Sequence, residues 1–224
     1  MDNKAIIKTQ GLSVCFGERQ ILKNIDLKVP RRSIYGFLGP NGAGKTTLIR
    51  SLLNLVSHNQ GTIKIFEKNP QKHRIELMKK IGSLIENPVL YPHLTGKENL
   101  TIYRKAYNLS KASIDRALEI VGMEESANRK TSTYSLGMKQ RTGIAIALLH
   151  DPELLILDEP VNGLDPGGIR EMRELIVDLN QKYDKTIFIS SHLLSEVEKI
   201  VTDVGIINKG QLFFQGKLSE FENR

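Results

Sequence analysis

The nine residues Gly39-Pro40-Asn41-Gly42-Ala43-Gly44-Lys45-Thr46-Thr47 carry the most specific chemistry in the sequence. Closely spaced glycines let successive backbone N–H groups converge on one anion, and the lysine and hydroxyl that follow add a cation and a metal ligand. The spacing Gly39, four residues, Gly44-Lys45-Thr46 is that of a loop that cradles nucleotide phosphates. Lys45 would reach the β- and γ-phosphates, and the Thr46 hydroxyl would ligate Mg2+. The competing reading is a structural Gly-rich turn. Its flanks oppose that: Ser33 to Leu38 reads as a buried strand, and Thr47 to Leu53 has the apolar spacing of a helix whose dipole would face the same charge.

A phosphate loop needs one group to hold the metal and another to do chemistry. Leu154-Leu155-Ile156-Leu157-Asp158-Glu159-Pro160 offers both, because four apolar residues bring two carboxylates to the C-terminal edge of a sheet. Asp158 would hold Mg2+ through water, and Glu159, just beyond the strand end, is the candidate general base or water-orienting group. A plain polar strand exit is the alternative for Asp-Glu-Pro.

Alternating strands and helices must position these groups. Ala5 to Lys8 and Ile21 to Val29 read as antiparallel strands joined by a turn at Gly17-Glu18-Arg19. A strand at Gly61 to Phe66 follows the first helix, then a polar turn at Glu67 to Pro70 and a helix through Lys80. From Pro88 to about His150 the pattern is helical: Thr95 to Tyr107, Ala112 to Val121 and Ser135 to Leu149. Thr95 and Glu98 have capping-box spacing. Strands are expected at Leu154 to Leu157, Thr186 to Ser190 and Val204 to Asn208, with helices after Pro166 and from Leu193, and a hairpin through Gly210. The expected fold is α/β: a nucleotide-binding core with a largely parallel sheet, an N-terminal antiparallel β part and a helical insertion. We read residues 1–224 as one domain, with 1–87 and 151–224 forming the core and 88–150 the helical part.

Composition is ordinary for a globular chain, with 40% hydrophobic and 25% charged residues. Met1-Asp2-Asn3-Lys4 leads straight into a short alternating run, and no apolar run reaches the 18 or so residues of a membrane span, so the chain reads as neither secreted nor membrane-spanning. One cysteine, Cys15, excludes an internal disulfide and reads as a small half-buried apolar residue. The net charge of +7 is spread along the chain, and with 6% aromatics and no Trp there is no evident stacking platform for single-stranded nucleic acid.

With these motifs in this order, the chain resembles the ATP-binding subunits of ABC transporters over nearly all of its length. The resemblance implies a P-loop NTPase fold of the ABC ATPase type, binding of ATP with Mg2+, and hydrolysis coupled to transport. It places Phe16 where an aromatic stacks on adenine; a strand-face core Phe is the competing reading. Tyr134-Ser135-Leu136-Gly137-Met138-Lys139-Gln140-Arg141 is similar to the family's signature segment, departing from the commoner form at Leu136 and Met138 and keeping Ser135, Gly137 and Gln140. In the family this segment caps ATP bound on the other subunit; a helix N-cap alone would explain Ser135 but not the whole string. Gly163-Leu164-Asp165 resembles the loop that contacts the partner subunit. Ser190-Ser191-His192 resembles the switch segment, in which His192 would hydrogen-bond the γ-phosphate and help fix the attacking water.

One departure stands out. Most of the family carry a Gln where Glu86 stands, and a carboxylate there ligates a metal more strongly and repels phosphate when metal is absent. Glu86 is therefore an expected metal ligand beside Thr46 and Asp158. Glu86, the Ser-Leu-Gly form and Ser190 to Glu198 resemble the exporters of lantibiotics and bacitracin-type peptide antibiotics. The implied partners are a second copy of the chain, joined head-to-tail by ATP, and separate permease subunits, with no nucleic acid. The implied location is the cytoplasmic face of the cell membrane. Val89, Leu90, Tyr91 and Leu94 would form an apolar docking patch, or else pack inside the helical part. A soluble switch of the same fold acting on nucleic acid or the ribosome is the rival reading, although relatives of that kind carry two ATPase halves or a long coiled-coil insertion. A third, a module that binds nucleotide without hydrolysing it, is opposed by Glu159 and His192.

Overall fold

The computed structural model describes residues 5–86 and 88–222. Met1 to Lys4, on which the expectation of no leader falls, and Asn87, between Glu86 and Pro88, lie outside the described residues. The chain opens with β1 (Ala5–Phe16), β2 (Arg19–Ile25), β3 (Lys28–Pro30) and β4 (Ile34–Leu38), followed by α1 (Lys45–Leu52), β5 (Gln60–Ile65), α2 (Arg74–Met78) and β6 (Ile81–Leu84). Three helices follow: α3 (Gly96–Ala106), α4 (Ala112–Ile120) and α5 (Leu136–Leu148). The last third alternates through β7 (Leu154–Asp158), α6 (Pro166–Gln181), β8 (Thr186–Ser191), α7 (Leu194–Val197), β9 (Asp203–Asn208), β10 (Gln211–Lys217) and α8 (Leu218–Glu222).

Two sheets result. The larger has the order β10-β9-β4-β8-β7-β6, parallel except for β10, which returns antiparallel on β9. Every residue of β4, β7 and β8 is buried, which is why these strands read as continuous apolar runs rather than as alternation. One face packs Tyr35, Phe37, Ile156 and Phe188 against Leu48, Ile49 and Leu52 of α1 and against the smaller, antiparallel sheet. The opposite face packs Ile34, Leu155, Leu157, Ile187 and Ile189 under Ile144, Leu148, Met172 and Ile176 of α5 and α6. Leu100, Ile114 and Leu118 belong to that same cluster, so the helical stretch has no separate core.

The expected Ile21–Val29 strand divides in two. Asn24 adopts φ 53°, its N–H donates to Ser13 Oγ at 3.0 Å, and Asp26 Oδ1 accepts from Gly11 N–H at 2.7 Å. These bonds turn the chain so that β2 pairs with the far end of the bulged β1 and β3 with its beginning. The capping box at α3 forms as its spacing predicts, with Thr95 and Glu98 satisfying each other's backbone N–H. Cys15 is half-buried and unpaired.

The topology decides where chemistry can happen. Strands β4, β7 and β8 run parallel in the register Leu38↔Ser191 and Asp158↔Ser190, so all three end at one edge. Gly39, Glu159 and His192, the residues just past those ends, are thereby gathered along it. Ligands of open α/β sheets bind in that crevice.

Candidate nucleotide site

The loop after β4 is braced from two sides and by one bond of its own. Gly39 N–H donates to Ser191 O at 3.1 Å, Ala43 N–H to Pro40 O at 3.2 Å, and Gly210 N–H to Ala43 O at 3.0 Å. Gly39 runs so close to β9 that a Cβ there would sit 2.1 Å from Ile207 O. Gly44 forms the N-cap of α1 at φ 110°, a conformation that favours glycine, and no side chain caps the helix. The first N–H groups of α1 thus point into the cleft with the positive end of the helix dipole behind them.

Lys45 is almost fully buried. Its Nζ donates to Gly39 O at 2.7 Å and Pro40 O at 3.2 Å and lies 3.2 Å from Glu159 Oε1. Thr46 Oγ1 donates to Asp158 Oδ2 at 2.7 Å. Glu159, at φ 50°, has turned out of the strand, so that its Oε2 lies 2.8 Å from His192 Nδ1 and accepts His192 N–H at 3.3 Å. Lys45, Thr46, Asp158, Glu159 and His192, up to 147 positions apart in sequence, therefore form one connected polar cluster. An opening of about 320 Å3 lies over it, lined by Asn41, Gly42, Gly44 and Lys45 to Thr47 on one side and Glu159 on the other.

The remaining predicted residues take other places. Phe16, at the end of β1, is 53% exposed, which excludes the core reading. Ser135 caps α5, accepting Met138 N–H at 3.2 Å, and does not line the opening; nor do Gly137 and the buried Gln140, whose Oε1 has no partner among the described residues. Glu86 is not drawn to Thr46 or Asp158 either: its carboxylate pairs with Arg50 of α1, one turn beyond Thr46. Val89 and Tyr91 are exposed at 82% and 50%, whereas Leu90 and Leu94 are half-buried. Tyr91 is held at its backbone by the fully buried Asn99, which accepts its N–H at 2.8 Å and donates to its O at 3.2 Å. In the loop resembling a partner contact, Asp165 caps α6 through Gly168 N–H, while Leu164 packs beside Gly137.

Glycine freedom, a buried lysine, a threonine on a buried aspartate and a glutamate on a histidine describe a polyphosphate site. A sequence profile for the family described as ABC transporter matches residues 22–162. The chain belongs to that family. Among its relatives, the bacitracin transport ATP-binding proteins of Bacillus licheniformis and Enterococcus faecalis are 51% and 46% identical over 92% and 98% of this chain, covering 68% and 71% of their own lengths. The lantibiotic transport ATP-binding protein of Streptococcus pyogenes is 42% identical over 97% of this chain and 93% of its own. A component of an ABC transporter complex from Clostridium perfringens superposes with a TM-score of 0.89 at 27% identity, covering 99% of this chain and 92% of that one. The chain is thus an ABC transporter ATPase with the expected α/β fold, and the rival reading of a nucleic-acid switch is not favoured.

Sequence reasoning missed Arg19 and Ile21, which line the opening from β2. Arg19 sits opposite Phe16 in the hairpin register, so the signal was a cation directly across the turn from the adenine-stacking candidate. Arg19→Ala is expected to weaken ATP binding roughly threefold at low salt and less at high salt, as an exposed cation facing phosphate would, with turnover at saturating ATP unchanged. Titration of ATP at two ionic strengths checks this.

Proposed function

We propose that this ABC ATPase powers export of a bacitracin-type or lantibiotic peptide through separate permease subunits, working as an ATP-dependent head-to-tail pair on the cytoplasmic face of the membrane. The cluster of Lys45, Glu159 and His192 beside Thr46 and Asp158 carries the enzymatic half of this reading. The bacitracin and lantibiotic transport relatives carry the substrate half. Among the described residues no helix is long and apolar enough to cross a membrane.

In this reading the loop N–H groups of Gly39 to Thr47 and Lys45 hold the phosphates, and Phe16 covers the adenine. Thr46 and Asp158 present two hard oxygens side by side, a donor pair that fits Mg2+, which keeps several waters and takes the rest of its ligands from phosphate. Bound there, Mg2+ would neutralise charge on the transferring phosphoryl group. Glu159 takes the proton of a water whose oxygen bonds to the γ-phosphorus as the bond to the bridging oxygen breaks, giving ADP and phosphate. His192 holds Glu159 in line and faces the γ-phosphate. A triphosphate would compete with Glu159 for Lys45, freeing the carboxylate for that work. Ser135, Gly137 and Gln140, set apart from the opening of their own chain, would close the site of the partner. Residues 88–150 act as the helical part of a single 1–224 domain, presenting Val89 and Tyr91 to the permease.

Glu86 joins the metal only by leaving Arg50. Glu86→Gln is expected to make ATP turnover less dependent on Mg2+ concentration; an unchanged Mg2+ titration would remove Glu86 from the ligand set.

Purified protein should hydrolyse ATP, and Glu159→Gln should lower turnover at least roughly a hundredfold while ATP still binds. In cells with the native permease, that variant should raise susceptibility to the exported peptide, with bacitracin and a lantibiotic as first probes. Unchanged susceptibility to both would count against the substrate class, and undiminished turnover against Glu159 as the base.

A further inference from the structure

Asp158 and Glu159 are neighbours in sequence but face different tasks, and one side chain to which the expected site gave no role touches both. Ser190 is fully buried in β8 and stands beside Asp158 in the parallel register with β7. Its hydroxyl donates to Asp158 Oδ1, while Thr46 occupies Oδ2 at 2.7 Å. The same Ser190 Oγ accepts Glu159 N–H at 3.0 Å, and Ser190 O lies 3.2 Å from that N–H. A hydroxyl has one proton and two lone pairs, so it can serve both neighbours at once. Both services matter to geometry. A carboxylate with one oxygen held by Thr46 and the other by Ser190 has its plane fixed, and Glu159 at φ 50° sits where a non-glycine residue stays only if its surroundings hold it.

We infer that Ser190 is a positioning residue for hydrolysis: it fixes the Asp158 carboxylate for the metal and pins the turn that swings Glu159 toward Lys45 and His192. This rests on the proposed hydrolytic reading. A serine that merely satisfied a buried carboxylate would affect stability alone, whereas a positioning serine affects metal-dependent binding and turnover while leaving metal-free nucleotide binding in place.

The test is calorimetric titration of ADP with and without Mg2+ on the whole chain, wild type and Ser190→Ala, together with kcat and KM for ATP. In wild type, Mg2+ is expected to tighten ADP binding. In Ser190→Ala that gain should shrink roughly tenfold, as the loss of one hydrogen bond to a charged group implies. Metal-free ADP affinity should stay within about twofold, and kcat should fall by a further roughly tenfold at little changed KM. Should Ser190→Ala not fold, Ser190→Cys, of similar volume with a weaker donor, carries the same expectation. A variant that keeps the full Mg2+ gain or the full kcat, or loses metal-free and metal-bound affinity together, overturns the role of Ser190. If wild type itself shows no Mg2+ gain, the assignment of Thr46 and Asp158 fails instead.

Discussion

The structure depends on one buried carboxylate and the donors that keep it there. Asp158 is 2% exposed, in a setting where an unpaired charge would cost several kcal/mol. It is tolerable because Thr46 brings a hydroxyl from the start of α1 and Ser190 brings another from β8. Each donor belongs to a different element, so the carboxylate fixes the phosphate loop, β7 and β8 relative to one another. The parallel register sets this up, since a slip of one residue along β7 would put Leu157 or Glu159 in place of Asp158 and turn every side chain to the opposite face.

From that fixed point the rest of the site follows by backbone geometry. Glu159 is the next residue, and its left-handed turn takes it off the strand axis toward Lys45 and His192. Lys45 in turn clamps the carbonyls of Gly39 and Pro40, which shapes the loop around the space that phosphates would fill. The chain thereby builds all the chemistry at one sheet edge and leaves the signature helix turned elsewhere. In the pair we propose, half of a composite site would lie on each of two copies, which would give both surfaces a use.

Much of this was legible in the sequence because it is written in local rules. Gly39 to Thr47 between an apolar run and a helix, and four apolar residues before Asp158, combine composition with spacing, and Thr95 with Glu98 is a local capping signal. What was not legible depends on contacts far apart in the chain. Nothing local in Ile21 to Val29 shows that Asn24 and Asp26 will bond to Ser13 and Gly11 and split the strand. Glu86 sits where a metal ligand was expected, yet Arg50 from a helix 36 positions earlier takes its carboxylate. Ser190 reads as the start of the switch-like segment with no task of its own until the register places it against Asp158. Arg19 reads as a turn residue until the hairpin folds it over the opening.

The central claim, a composite site closed by ATP between two copies, is tested most directly by the solution mass of the Glu159→Gln chain with and without Mg-ATP. The account predicts a shift from the 25.2 kDa of one chain to roughly twice that on adding Mg-ATP, and its reversal when ATP is removed. A chain that binds Mg-ATP tightly yet keeps the mass of a single copy at every protein concentration would contradict it.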